Sequence, residues 1–257
     1  MAIETPSPCE TDNLIGDPFW DSPLGLDVVS LERSLMAPLI RRFDGDAVLW
    51  IGDHAKSADT LQRCMVRNCV YLQQDQAGPH GEIPALAGTL EDLPFRSKSF
   101  DGVVLHHALE RVADPRVALR EVSRVLAPGG RVLICGFNPL SMMGARRLYG
   151  RWFSDSLSTQ RLVNPLRLFD WLPLLGLELQ GRPLYSGYGL PLAGFLRRGS
   201  LEHMRVQPGM LPFGALLLVD VVKQASTMKP QWRLSKQKRH LAPVAYPRVA
   251  SWQRSKL

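Results

Sequence analysis

Residues 93–139 read LPFRSKSFDGVVLHHALERVADPRVALREVSRVLAPGGRVLICGFNP, and their pattern decides the fold. Residues 100–105 (FDGVVL) are an apolar run after a polar turn, long enough for a buried strand and too short for a helix. Asp114-Pro115 then opens a helix, with Asp suited to the N-cap and Pro to the first helical position. Val117, Leu119, Val122, Val125 and Leu126 recur at helical spacing, while Arg116, Arg120, Glu121 and Arg124 take the other face. Pro128-Gly129-Gly130 stops the helix, and residues 131–137 form a second apolar strand. Strand, helix, Gly-rich turn and strand make a right-handed parallel crossover, so the chain is α/β.

Working outward, residues 46–52 (DAVLWIG) read as a short buried strand, 56–66 as a helix and 69–73 as a second strand. Residues 30–43 are amphipathic: Leu31, Leu35, Leu39 and Ile40 on one face, Glu32, Arg33, Arg41 and Arg42 on the other. On the far side, residues 165–175 are an apolar helix with Gly176 as its C-cap. Residues 178–183 and 215–222 are expected as an antiparallel pair at the sheet edge, with 187–212 a Gly- and Pro-rich loop region. Residues 141–153 form a basic, aromatic-bearing insertion or helix. The expected organisation is a flexible segment 1–18, one domain over 19–224 and a basic tail over 225–257.

At 257 residues and 45% apolar, the chain is large enough for one full core. The net charge of +7 is uneven: residues 229–257 carry eight Lys or Arg and no acid, leaving 23 cations against 24 acids before them. That tail also carries Trp232, Tyr246 and Trp252, and its composition suits a disordered arm that either touches nucleic acid or an anionic membrane, or simply stays solvated. Cys9, Cys64, Cys69 and Cys135 form no CxxC pair, which points to a reducing compartment and away from a disulfide framework or a metal site. The start, MAIETPSPCETD, lacks an apolar signal-peptide core, and no apolar run is long enough to span a bilayer. A cytoplasmic protein is expected.

Leu93-Pro94-Phe95, Asp101-Gly102-Val103-Val104 and the run DPRVALREVSRVLAPGGRVLI from Asp114 resemble the second half of class I S-adenosylmethionine (SAM) methyltransferases. The ubiquinone- and biotin-pathway enzymes, and an uncharacterised bacterial branch of that superfamily, are the nearest in pattern. The likeness is dense over 86–139, looser over 19–75 and 141–224, and absent from the last thirty residues. It implies a Rossmann-like domain: a mostly parallel, seven-stranded sheet with helices on both faces. The cofactor is then SAM, bound outside the carboxyl ends of the strands.

The resemblance also assigns candidate residues, and here the chain departs from the pattern. The family has an acid and then Gly-x-Gly-x-Gly after the first strand. This chain has Trp50 in the acid's place, keeps Gly52, and puts His54 and Lys56 where the other glycines belong. Asp53 is then the candidate partner for the cofactor's ammonium. Asp75, at the end of the second strand, is the candidate for the ribose hydroxyls, where a solvated loop Asp is the other reading. The adenine segment places Thr89 where the family has an acid, with Leu90 offering its backbone amide. His106 and His107 leave the fourth strand at its carboxyl end. Alternation along an extended chain allows one of them to face the pocket, with His106 the candidate for cofactor contact and either one for a base. No His, Cys or carboxylate nearby in sequence completes a metal set, so no metal is expected. Glu110 reads as a cap, and Asn138 is either a substrate-orienting residue or a turn residue before Pro139. Two functions stand: SAM-dependent methyl transfer to an unidentified small or medium acceptor, or a catalytically inactive methyltransferase fold serving as a binding or regulatory partner.

Overall fold

A computed structural model describes residues 20, 23–52, 60–61, 64–73, 85–141, 144, 161–188, 205–206 and 214–225. Helix α1 (Pro23–Ile40) leads into strands β1 (Ala47–Ile51), β2 (Asn68–Gln73), β3 (Ala85–Ala87) and β4 (Phe100–His106). A single 3-10 turn (Ala108–Glu110), α2 (Pro115–Val125) and the long β5 (Leu126–Phe137) follow. The described remainder is α3 (Pro165–Leu174), β6 (Leu177–Leu179), β7 (Leu184–Tyr188), β8 (Arg205–Val206) and β9 (Leu216–Lys223).

The sheet runs β3-β2-β1-β4-β5-β9-β7-β8, with β6 also pairing β9. From β3 to β5 every neighbour is parallel. β9 turns antiparallel beside β5, and β7 and β6 pair with it. This is the Rossmann-like frame of the class I methyltransferase fold, its sheet reaching nine strands through the short β6 and the two-residue β8. The order reverses between β1 and β4, which puts a crevice at their carboxyl ends, where open α/β sheets take their ligands.

Side chains alternate across the strands to build two cores. Trp50, Val104, Leu133, Cys135 and Phe137 face α1, through Val28, Val29, Met36 and Ile40. Leu49, Ile51, Val103, Leu105, Val132 and Ile134 face α2 and α3, through Leu119, Val122, Leu168 and Leu172. α2 starts as its sequence predicts: the Asp114 side chain accepts from the Arg116 amide, and Pro115 sits in the first turn.

Several expectations change. In place of one strand over 178–183 there are two short ones on either side, β6 and β7, and the region 187–212 includes the end of β7 and β8. The helix before β1 begins at Pro23 rather than residue 30, so its buried stripe runs through Gly25, Val28, Val29, Glu32, Met36 and Ile40. Glu32, assigned to the solvent face, is fully buried. Leu126 belongs to β5, not α2, because the ladder pairs it with Phe100 before a register shift to Gly102 and Arg131. The strand over 215–222 lies inside the sheet rather than at its edge: the antiparallel ladders to β5, β7 and β6 take both its sides. The helix expected over 56–66 and the segment 141–153 lie mostly outside the described residues. The chain divides into two compact units, Met1–Ala225 and Ser226–Leu257, and the second lies wholly outside them.

Candidate active site

β4 ends at His106, whose ring points to the α1 side and packs against Trp50, with centroids 5.4 Å apart. The next residue breaks the alternation. His107 has φ 53° and ψ 17°, a left-handed conformation that non-glycine residues rarely adopt. That turn brings both imidazoles to one side. The His106 Nε2 lies 2.9 Å from one Glu32 oxygen and the His107 Nε2 lies 2.7 Å from the other. Both rings thus meet one carboxylate, because alternation ends where the strand does, while His106 Nδ1 makes no such contact.

The network continues outward. The His107 Nδ1 is 3.1 Å from Glu110 Oε2, and Glu110 Oε1 accepts the Phe137 backbone N–H. Glu110 thus orients His107 rather than merely capping the 3-10 turn. Trp20 lies over the group, 4.9 Å from the His107 ring and stacked on Phe137 at 6.0 Å. Cys135, on β5 behind the histidines, is buried. One donor atom each from Glu32, His106, His107 and Cys135 falls within 4.8 Å of the others. A carboxylate and a thiol distant in sequence do complete a ligand-type set, contrary to the expectation of none.

Charge follows from these contacts. Burial pushes the Glu32 carboxyl up, but the adjacent His107 and His106, by charge and hydrogen bond, outweigh it and hold the carboxyl at about 2. Burial pulls His107 down, yet Glu110 and Glu32 on either side raise it well above the ordinary histidine range. An imidazolium fits, since each of its nitrogens then donates to a carboxylate. His106 is lowered by burial against the pull of Glu32. It is neutral, and its Nε2–H donates to Glu32. Burial, then the Glu32 charge, push the Cys135 thiol up to about 12.

Two buried ring nitrogens here, His106 Nδ1 and Trp50 Nε1, have no hydrogen-bond partner among the described residues. Groups of this kind are costly to leave unpaired, and they mark where a ligand's polar atoms would be received. The indole N–H can only donate, which suits a carboxylate, and His106 Nδ1, unprotonated while Nε2 carries the proton, can only accept, which suits an ammonium. The methionine end of SAM, with one carboxylate and one ammonium, matches that pair of atoms chemically.

The other sequence-predicted residues are scattered. A Cβ at Gly52 would lie 2.4 Å from the His106 carbonyl oxygen, so glycine is required there by the close approach of β1 to β4. Asp53 and Asp75 lie outside the described residues. Thr89 is exposed and bridges to Asp92, while the Leu90 side chain is buried in the α2-side core. Asn138 is buried with its amide engaged: Nδ2 donates to the Gly214 carbonyl, and Oδ1 accepts the Leu140 amide. It joins the end of β5 to the start of β9 and does not belong to the histidine cluster. A cavity of roughly 370 Å³ lined by Phe169, Leu172, Leu177 and Gln224 opens at the amino end of the parallel strands, remote from the cluster.

Known proteins share this fold. A family model described as a methyltransferase domain matches residues 56–134. The uncharacterized protein YafS of Escherichia coli is 42% identical over 164 residues, 63% of this chain and 65% of that protein. A demethylmenaquinone methyltransferase of Mycobacterium sp. (strain KMS) is 35% identical over 81 residues, 32% of this chain and 35% of that one. The chain thus spans less than two thirds of either relative. A SAM-dependent methyltransferase of Thermotoga maritima superposes with TM-score 0.57 at 17% identity, covering 77% of this chain and 92% of that one. Sheet order and crevice define a class I methyltransferase fold. Residues 56–134 thus match a methyltransferase domain, and the chain shares the fold of SAM-dependent methyltransferases, proteins whose cofactor is SAM.

Proposed function

We propose that the chain is a SAM-dependent methyltransferase acting on a small or medium acceptor at the carboxyl ends of β1 and β4. The observation that carries this is the pair of unpartnered nitrogens, His106 Nδ1 and Trp50 Nε1, buried at the reversal point of the sheet. They would hold the cofactor's methionine end, with Asp53 at its ammonium, Asp75 at the ribose, and Thr89 and the Leu90 amide at the adenine. When bound, SAM supplies a methyl group already activated by sulfonium, so the protein's work is chiefly alignment. His107, with both nitrogens engaged, is a positioning residue that fixes Glu32, which in turn fixes the His106 ring. His106 Nδ1 is the ring nitrogen of the pair left to face a ligand.

A second reading has its own support. Trp50 fills with a buried indole the place where the family carries an acid, and Trp20 covers the histidines, so a closed, non-catalytic binding module is the alternative. Its partner would be a protein, or nucleic acid met through the basic tail. A reducing, cytoplasmic setting suits either, since Cys64, Cys69 and Cys135 are free thiols. No described helix is long and apolar enough to cross a membrane.

Calorimetric titration with SAM and with S-adenosylhomocysteine separates the two. The enzyme reading expects micromolar binding, weakened about tenfold or more in Trp50→Phe, which keeps the ring and deletes the N–H. No heat at millimolar cofactor would overturn it.

A further inference from the structure

We infer that Glu32, His106, His107 and Cys135 form a buried zinc site that pins α1 to the carboxyl ends of β4 and β5. The four donor atoms already lie within 4.8 Å of one another, and all four residues are buried. Tetrahedral zinc bonds of about 2.0–2.3 Å place its ligand atoms about 3.3–3.8 Å apart, so the four side chains need draw together by only about 1 Å. Two imidazole nitrogens, a thiolate and a carboxylate oxygen suit zinc rather than calcium or magnesium, which take oxygen. Binding releases the Cys135 thiol proton and the His107 Nε2 proton to solvent and moves the His106 proton from Nε2 to Nδ1.

Two further observations point the same way. Glu110 accepts from the far nitrogen of His107 and is itself fixed by the Phe137 amide. That is the outer-shell support metal-binding histidines have, where a carboxylate sets ring orientation and tautomer. His107 also holds a left-handed backbone, a conformation costing on the order of 1–3 kcal/mol that persists where the surroundings require the side chain in one place. With four protein ligands no coordination position stays open, so the ion is structural and takes no direct part in methyl transfer. Bound through His106 Nε2, it leaves His106 Nδ1 and Trp50 Nε1 outside its shell.

The full-length chain, stripped with chelator, is titrated with cobalt(II) and then zinc. One equivalent is expected to bind with a near-ultraviolet thiolate-to-cobalt charge-transfer band. Zinc at a hundredfold excess over Kd, unlike magnesium, is expected to raise Tm by about 5–10 °C. The band should persist in a variant with Cys9, Cys64 and Cys69 changed to Ser. It should vanish in Cys135→Ser, whose zinc affinity falls at least tenfold with the far-ultraviolet spectrum unchanged. Glu32→Gln should weaken zinc without removing the band. Absence of the band and of the Tm shift in the wild-type chain overturns the inference, however the variants fold. Binding unchanged in Cys135→Ser also overturns it, since the ion then sits elsewhere.

Discussion

Glu32 shows how much one side chain carries. Its carboxylate is fully buried yet charged, a state sustained by the two imidazoles that meet it. Removing one member of a buried ion pair leaves the other uncompensated, at about 3–5 kcal/mol. Glu32→Ala is therefore expected to lose about that much of a total near 5–15 kcal/mol, read as a lower urea midpoint. A midpoint shift worth less than 1 kcal/mol would mean the pair is not formed in solution. Little of this was legible beforehand. Helical spacing from residue 30 set Glu32 beside Arg33 on a polar face. Started at Pro23, the same spacing puts it between Val28, Val29 and Met36, and that stripe was the available signal. His107 was harder, because its left-handed turn is imposed by the 3-10 segment and the β5 contact, which no neighbouring residue announces.

Among elements, α2 was read nearly whole, since capping and amphipathicity are local and agree, although it ends at Val125 and Pro128-Gly129-Gly130 belong to β5. What it does for residues 89–96 was not legible, because that depends on a long-range clamp. Arg124, paired with Glu121, donates to the carbonyls of Phe95 at 2.8 Å and Leu93 at 2.9 Å, and Glu121 accepts the Leu93 amide. Glu91 reaches back to the Asp114 amide. Arg124→Ala should cost about 1–3 kcal/mol and speed amide exchange over residues 89–96 while leaving β4 protected. Uniform loss of protection across the domain would argue against a local clamp.

At the scale of the molecule, Asp220 links parts far apart in the chain. Its carboxylate takes Arg131 of β5 at 2.7 Å and approaches Arg42 at 3.6 Å, just after α1. Burial raises its pKa, and Arg131 and Arg42 offset that only in part. A raised folded value means the folded state takes up this proton more readily than the unfolded one. The resulting stability is present below the ordinary 3.8 and is lost as pH rises through the folded value. A carboxyl-detected NMR titration should place the Asp220 midpoint above 3.8, and a midpoint at or below it would show that the ion pairs dominate. The parallel half of the sheet was legible because each crossover unit is contiguous. The placement of β9 was not, since the register that seats it between β5 and β7 is set by partners far away in sequence.

That seating also has a consequence for the order in which the chain is made. When β5 leaves the ribosome its outer edge has no neighbour, for β9 begins about 80 residues later, roughly 4–16 s at ordinary elongation rates. Through that interval the nascent domain shows an unpaired edge of Val132, Leu133, Ile134 and Cys135. Newly synthesised chains are thus most open to chaperone capture, or to pairing with one another, just before the domain closes.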